Sequence, residues 1–175
     1  MPKSSEEQIK VDENKVLFEL QKNSKESIDN IAKKCGFSRQ KVWRIIKRLE
    51  KNNTIIGYTS VVDEKMQNLI HFTMLIKRSS KPLPENIVDK ICEQQVDGFK
   101  PNVSVIIDDS YYTHGEYDWI VTLKAVDLKQ VKKFSEFFIS QYNEYVKEIK
   151  ILETLFFIRK NGIIHPQCID FKKYL

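Results

Sequence analysis

Between Lys33 and Lys51 the chain carries eight lysines and arginines and a single acid, Glu50. In "SRQKVWRIIKRLEK" cationic and apolar side chains alternate, an order with two chemical uses. A guanidinium donates paired hydrogen bonds to guanine, a carboxamide does the same with adenine, and an ammonium meets phosphate as a point charge. The plainer use is a solvated amphipathic helix whose basic face touches only water. At about 100° per residue, Val42, Ile45, Ile46 and Leu49 make one apolar stripe. Gln40, Arg44, Lys47 and Arg48 occupy the opposite arc, with Trp43 at its edge. If that arc faces a duplex, Arg39, Gln40, Trp43 and Arg44 stand at the helix start, where base edges are read. Lys41, Lys47, Arg48 and Lys51 then fall to phosphates, which set register without reading sequence. Trp43 is expected to roof the small helical core rather than to touch bases.

Such a helix must be held by others. Ser38 is its natural cap, two residues after Gly36, and Gly36 suits the left-handed position that ends a preceding helix. That helix, "IDNIAKKC", is capped by Ser27 and puts Ile28, Ile31, Ala32 and Cys35 on one face. A first helix is expected from Asp12 as cap, with Val16, Leu17 and Leu20 inward, after a frayed polar lead over residues 1–10. Helix, glycine turn, helix is the helix-turn-helix order. After it, the β-branched run from Thr54 to Val62 reads as a strand, with Gly57 at a turn or bulge.

From Leu69 the periodicity changes. "LIHFTMLIK", "VSVIID", "WIVTLKA" and "IKILETLFFIRK" read as strands. "PLPENIVDKICEQQ" reads as a helix begun at Pro84 with Ile87, Val88 and Ile91 on one face. "LKQVKKFSEFFISQYNEY" reads as a second helix with Val131, Phe134, Phe138 and Tyr142 inward. The order β-α-β-β-α-β is ferredoxin-like, so the chain is α+β. The tail turns at Asn161-Gly162 and adds a short extension. Two helices cover one sheet face, yet the strands are apolar at successive positions, so both faces call for burial. Aromatic clusters at Tyr111/Tyr112, Phe134/Phe137/Phe138 and Phe156/Phe157 exceed one small core, and a homodimer interface is expected to take the surplus.

Charge follows the same division. Residues 1–60 hold 13 Lys/Arg against 8 Asp/Glu, while residues 61–175 hold 16 of each. The excess of the whole chain, +5, sits in the first third, as expected of a basic module for a polyanion joined to a neutral module. Cys35, Cys92 and Cys168 are far apart and form no metal-ligand spacing, and reduced thiols are expected. His71, His114 and His165 are scattered, with no nucleophile–base pair or phosphate loop nearby. No apolar run is long enough to span a membrane, and the polar N-terminus carries no export signal, so a cytoplasmic protein without cofactor or metal is expected.

Two stretches carry a resemblance. "VLFELQKNSKESIDNIAKKCGFSRQKVWRIIKRLE" followed by "IIGY", and "HGEYDWIV" further on, resemble the feast/famine, Lrp/AsnC-like transcriptional regulators, over about Asp12 to Lys160. The resemblance implies an N-terminal helix-turn-helix domain over residues 1–60, a linker to 68, and a dimerising, effector-sensing domain over 69–175. It implies sequence-specific binding of double-stranded DNA by a homodimer, or by a dimer of dimers or octamer, with contacts from Ser38, Arg39, Gln40, Lys41, Trp43, Arg44, Lys47, Arg48 and Lys51. It also implies that Thr113, His114, Gly115, Glu116, Tyr117 and Asp118 hold an amino-acid effector at a subunit contact. There Asp118 would accept from an α-ammonium group, turn amides would meet a carboxylate, and Gly115 would permit close approach. The plainer reading is that Gly115 and Asp118 only shape a turn. Two rival functions share this architecture: a sirohaem decarboxylase-like enzyme, disfavoured by the acids Glu116 and Asp118, and an architectural protein with little sequence preference.

Overall fold

In a computed structural model, residues 5–93 and 105–175 are described. The chain divides into two compact units, Met1–Val61 with Ile158–Phe171, and Val62–Phe157 with Lys172–Leu175. The expected assignment of all of 69–175 to one domain is thus corrected. Ile158–Phe171 packs with the helical unit, a long-range return that no local pattern encodes.

The helical unit starts earlier than expected. α1 runs Glu6–Lys22, capped by Ser5, whose Oγ accepts from the Gln8 N–H at 3.2 Å. Serine followed three residues on by glutamine, with Glu6 and Glu7 at the positive end of the helix dipole, suffices to begin it. Residues 6–10 are therefore helical, and Asp12 lies inside the helix, buried, rather than at its cap. α2, Ile28–Cys35, is capped by Ser27 as expected. Gly36 follows at φ 69°, and the Phe37 N–H bonds to the Ala32 carbonyl at 2.9 Å and that of Gly36 to Lys33 at 3.3 Å. This paired closure needs a left-handed residue, hence glycine. α3, Arg39–Lys51, is capped by Ser38. Val16, Leu20, Ile31, Val42, Ile45 and Leu49 form the buried core, with Ile46 partly buried beside it.

The strand expected over Thr54–Val62 does not form among the described residues. Ile56 is 93% exposed there. β-Branched composition favours an extended backbone, but a strand also needs a hydrogen-bonding neighbour, and that is not a local property.

The second unit has the expected β-α-β-β-α-β order. β1 is Ile70–Arg78, α4 Glu85–Glu93, β2 Val105–Tyr112, β3 Trp119–Ala125, α5 Leu128–Tyr142 and β4 Val146–Glu153. The sheet order is β2-β3-β1-β4, antiparallel throughout. Phe72, Met74, Ile76, Val121 and Leu123 point to the helices and meet Val131, Phe134, Phe138 and Tyr142. Burying each such side chain contributes about 1.5–3 kcal/mol. Val88, expected inward, is exposed, whereas Ile87 and Ile91 pack on the core. Residues 94 and 95 of the expected α4 and 103 and 104 of the expected β2 lie outside the described residues. β2 continues past Asp108 to Tyr112 through a register shift between Ile107 and Asp109, since an exposed edge strand tolerates polar residues. β4 stops at Glu153, paired with Phe72 of β1, rather than reaching Lys160. Beyond it, β5 (Arg159–Lys160) and β6 (Ile163–Ile164) make a small hairpin in the helical unit.

Candidate nucleic-acid interface

The Ser38 cap and the Val42/Ile45/Leu49 stripe fix how α3 is rotated, and the opposite side chains divide into two groups. Lys41 and Arg48 turn toward α1. Lys41 Nζ lies 2.6 Å from Asp12 and 4.0 Å from the Phe37 ring centre, and Arg48 Nε donates to Glu13 at 2.7 Å. Lys41 holds the Asp12 carboxyl below its ordinary value against the opposing effect of burial. Both cations, expected on phosphates, pair within the chain with acids that α1 presents at the matching height.

The second group faces outward. Arg39, Gln40, Trp43 and Arg44 line one shallow concavity with Ile28 from α2. Trp43 is 51% exposed and belongs to this rim, so the expectation that it roofs the core is corrected. Arg39 donates to Asp29 at 3.0 Å, a pair exposed on both sides and therefore weakly held. Arg44 makes one long bond, 3.4 Å, to the Gln40 carbonyl. Lys47 pairs with Glu50 at 2.9 Å, and Tyr58 donates to the same carboxylate at 3.1 Å. Together they hold the Glu50 carboxyl below its usual range. Lys51 is exposed at the last turn. The four residues expected at base edges are thus brought together on one exposed rim. Sequence reasoning missed Ile28 in that rim and the α1 acids behind the helix. Asp12 stands at i, i+4, i+8 with Val16 and Leu20, and an acid in an inward register signals a buried cation partner.

The second candidate, Thr113–Asp118, closes the β2–β3 hairpin. The Thr113 N–H donates to the Asp118 carbonyl at 2.8 Å, and its hydroxyl to the Tyr117 carbonyl at 2.6 Å. The Asp118 N–H donates to Ile76 at 3.0 Å, while its Oδ2 accepts the Arg78 N–H at 2.8 Å. His114, Gly115 and Glu116 are exposed. No described atom lies within 4 Å of the Cβ that Gly115 lacks, so the close approach expected there has no counterpart within the chain. Lys150 Nζ sits 5.3 Å from the Tyr117 ring centre, and Tyr117 with Glu148 raises its pKa. The polar atoms of Thr113 and Asp118 mostly serve the turn itself.

No group of metal-ligating side chains forms among the described residues, and none of their helices is long and apolar enough to cross a membrane. Residues 13–56 match a winged helix-turn-helix DNA-binding family. The HTH-type transcriptional regulator YugG of Bacillus subtilis is 28% identical over 123 residues, 70% of each chain. The leucine-responsive regulatory protein of Haemophilus influenzae is 24% identical over 124 residues, 68% of each chain. A solved feast or famine regulatory protein from M. tuberculosis, complexed with L-methionine, superposes with a TM-score of 0.67 at 14% identity. That superposition covers 87% of this chain and 95% of the other, and it establishes likeness of fold.

Proposed function

We propose that this chain belongs to the feast/famine, Lrp/AsnC-like, DNA-binding transcriptional regulators and that it reads duplex DNA with the first turns of α3. The observation that carries the reading is the exposed rim of Arg39, Gln40, Trp43 and Arg44. Arg44 and Gln40 supply the donors that read guanine and adenine in a groove wide enough for one helix. Ser38, Lys47 and Lys51 lie on or near the phosphates, while Lys41 and Arg48 act from behind by fixing α3 against α1.

The working unit is a homodimer joined through the sheet face that α4 and α5 leave open. Thr73, Leu75, Ile120, Thr122 and Leu152 stand on that face, opposite the inward Phe72, Met74, Val121 and Leu123 in strict alternation. A two-fold partner covers it with the same residues and presents two copies of α3 to the duplex. An amino-acid effector binds where two Thr113–Asp118 turns approach. L-Methionine in the M. tuberculosis relative supports that class of ligand. The protein acts as a regulator rather than an enzyme, in the cytoplasm, where its DNA target lies.

The test is recovery of genomic fragments by the purified protein, with and without amino acids. Fragments sharing a two-fold related sequence are expected, with Arg44→Glu recovering none of them. Recovery of unrelated fragments only, or identical recovery by Arg44→Glu, overturns the reading.

A further inference from the structure

β5 and β6 pair Arg159 with Ile164 and Lys160 with Ile163, and Asn161 and Gly162 close them at φ 47° and 81°. Two successive positive φ values give the tight turn whose twist suits a hairpin. So short a ladder does not stand alone in water. It is fastened at its base, where the His165 N–H, in a residue 8% exposed, donates to the Ile158 carbonyl at 3.0 Å. Arg159 Nη1 donates across the turn to the Gly162 carbonyl at 3.1 Å, leaving most of its five N–H donors for other acceptors.

The hairpin belongs to the helical unit. In that unit Asn161 and Ile163 line one groove together with Lys22, Lys25 and Tyr58. From Ile158 to Ile169 the chain has two cations, Arg159 and Lys160, and no acid. The winged helix-turn-helix match ends at residue 56, and the segment after α3 forms no strand among the described residues. No wing therefore follows α3 in sequence, while a basic hairpin from later in the chain lines a groove with the segment where one would begin.

We infer that the β5–β6 hairpin is this chain's wing, with Arg159 and Lys160 meeting the DNA phosphates beside the duplex that α3 enters. The inference rests on the DNA-binding reading above. Its contacts fix position and carry no sequence information.

The test is a salt titration of binding by the full chain, on mixed-sequence duplex and on recovered genomic fragments. Each lost phosphate contact removes about 0.9 from the log–log slope, so Arg159→Gln with Lys160→Gln should flatten it by about 1.8 per subunit on both duplexes. Arg159→Lys, which keeps the charge, should hold the wild-type slope. Thermal unfolding and sedimentation of each variant separate charge loss from misfolding or altered assembly. A folded double variant with unchanged slope, or the same flattening in Arg159→Lys, overturns the wing while Arg44→Glu still tests α3 by itself. Failure of the wild-type chain to bind either duplex overturns both readings.

Discussion

The rim at the start of α3 and the turn at Thr113–Asp118 are both polar, exposed and built by tight local geometry, yet they differ in what their side chains already do. At the rim, Arg39 and Arg44 hold one exposed ion pair and one long hydrogen bond between them. Their donors are available to a ligand, and the rim is complete within one chain. At the turn, Thr113 closes the hairpin and Asp118 caps the end of β1, so the residues best suited to ligand recognition are committed to the fold. On the proposed reading the turn is half a site, completed by a second copy. Exposure alone does not mark a binding residue; unused hydrogen-bonding capacity does.

Arg44→Glu gives the sharpest break of this comparison and the largest expected effect. Losing a bidentate base contact costs about 1–3 kcal/mol, and the reversed charge adds repulsion from phosphate. A dimer loses the contact twice, so affinity for recovered fragments should fall by about 100-fold or more. Arg44 is exposed and leaves no cavity, so the melting temperature should hold. Wild-type affinity in the folded variant would remove α3 from the groove.

The half-site claim meets its test at Leu75→Lys. Leu75 stands on the open sheet face between Thr73 and Lys77, away from the helices. An ammonium there would be desolvated twice over by the two-fold contact, at several kcal/mol per ion. Light scattering should show a monomer at micromolar concentration, and calorimetry should show loss of amino-acid binding although Thr113–Asp118 is untouched. A monomer that still binds the amino acid would make the turn a complete site.

Asp118→Ala probes the same turn from within the fold. It strips the acceptor from the Arg78 N–H, and removing one partner of such a bond costs about 1–3 kcal/mol. Stability of the sheet unit should fall by that amount without any ligand present. An unchanged denaturation midpoint would mean that Asp118 is free for the effector after all.

These outcomes bear on how far the sequence could be read. The Ser27 and Ser38 caps, the Gly36 closure, the α3 stripe and the β-α-β-β-α-β order follow from rules spanning a few residues, and all were legible. The start of α1 was missed because its first turns carry a capping signal but only one half-buried apolar residue, Ile9. The rest was hidden by distance along the chain. Arg48 and Glu13 are 35 residues apart, and nothing local in α3 tells that its Lys41 and Arg48 are taken. Thr54–Val62 has strand composition without a partner strand, and the return of Ile158–Phe171 to the helical unit has no local signal either.

The smallest effect concerns the cations of α3 that pair with α1. Asp12 is buried with Lys41 2.6 Å away, and its carboxyl titrates below the ordinary 3.8, first because of the Lys41 hydrogen bond and then that from Gln8. A depressed carboxyl pKa means that the unfolded chain binds more protons than the folded one between the two values, so stability rises with pH across that window. The contribution is therefore complete above the unfolded value and is lost as pH falls through the folded one. Lys41 is 40% exposed along its side chain, so solvent screens the pair and about 1 kcal/mol is expected. Asp12→Asn keeps the shape and one acceptor while removing the charge. The stability difference between wild type and Asp12→Asn should be flat from neutral pH down to about 5 and shrink below 3.8. Its salt-titration slope on DNA should match wild type if Lys41 serves α1 rather than phosphate, as proposed. A difference that persists unchanged at the acid end would deny the ion pair its part in stability. A steeper salt slope in Asp12→Asn would show Lys41, once released, turning to the duplex.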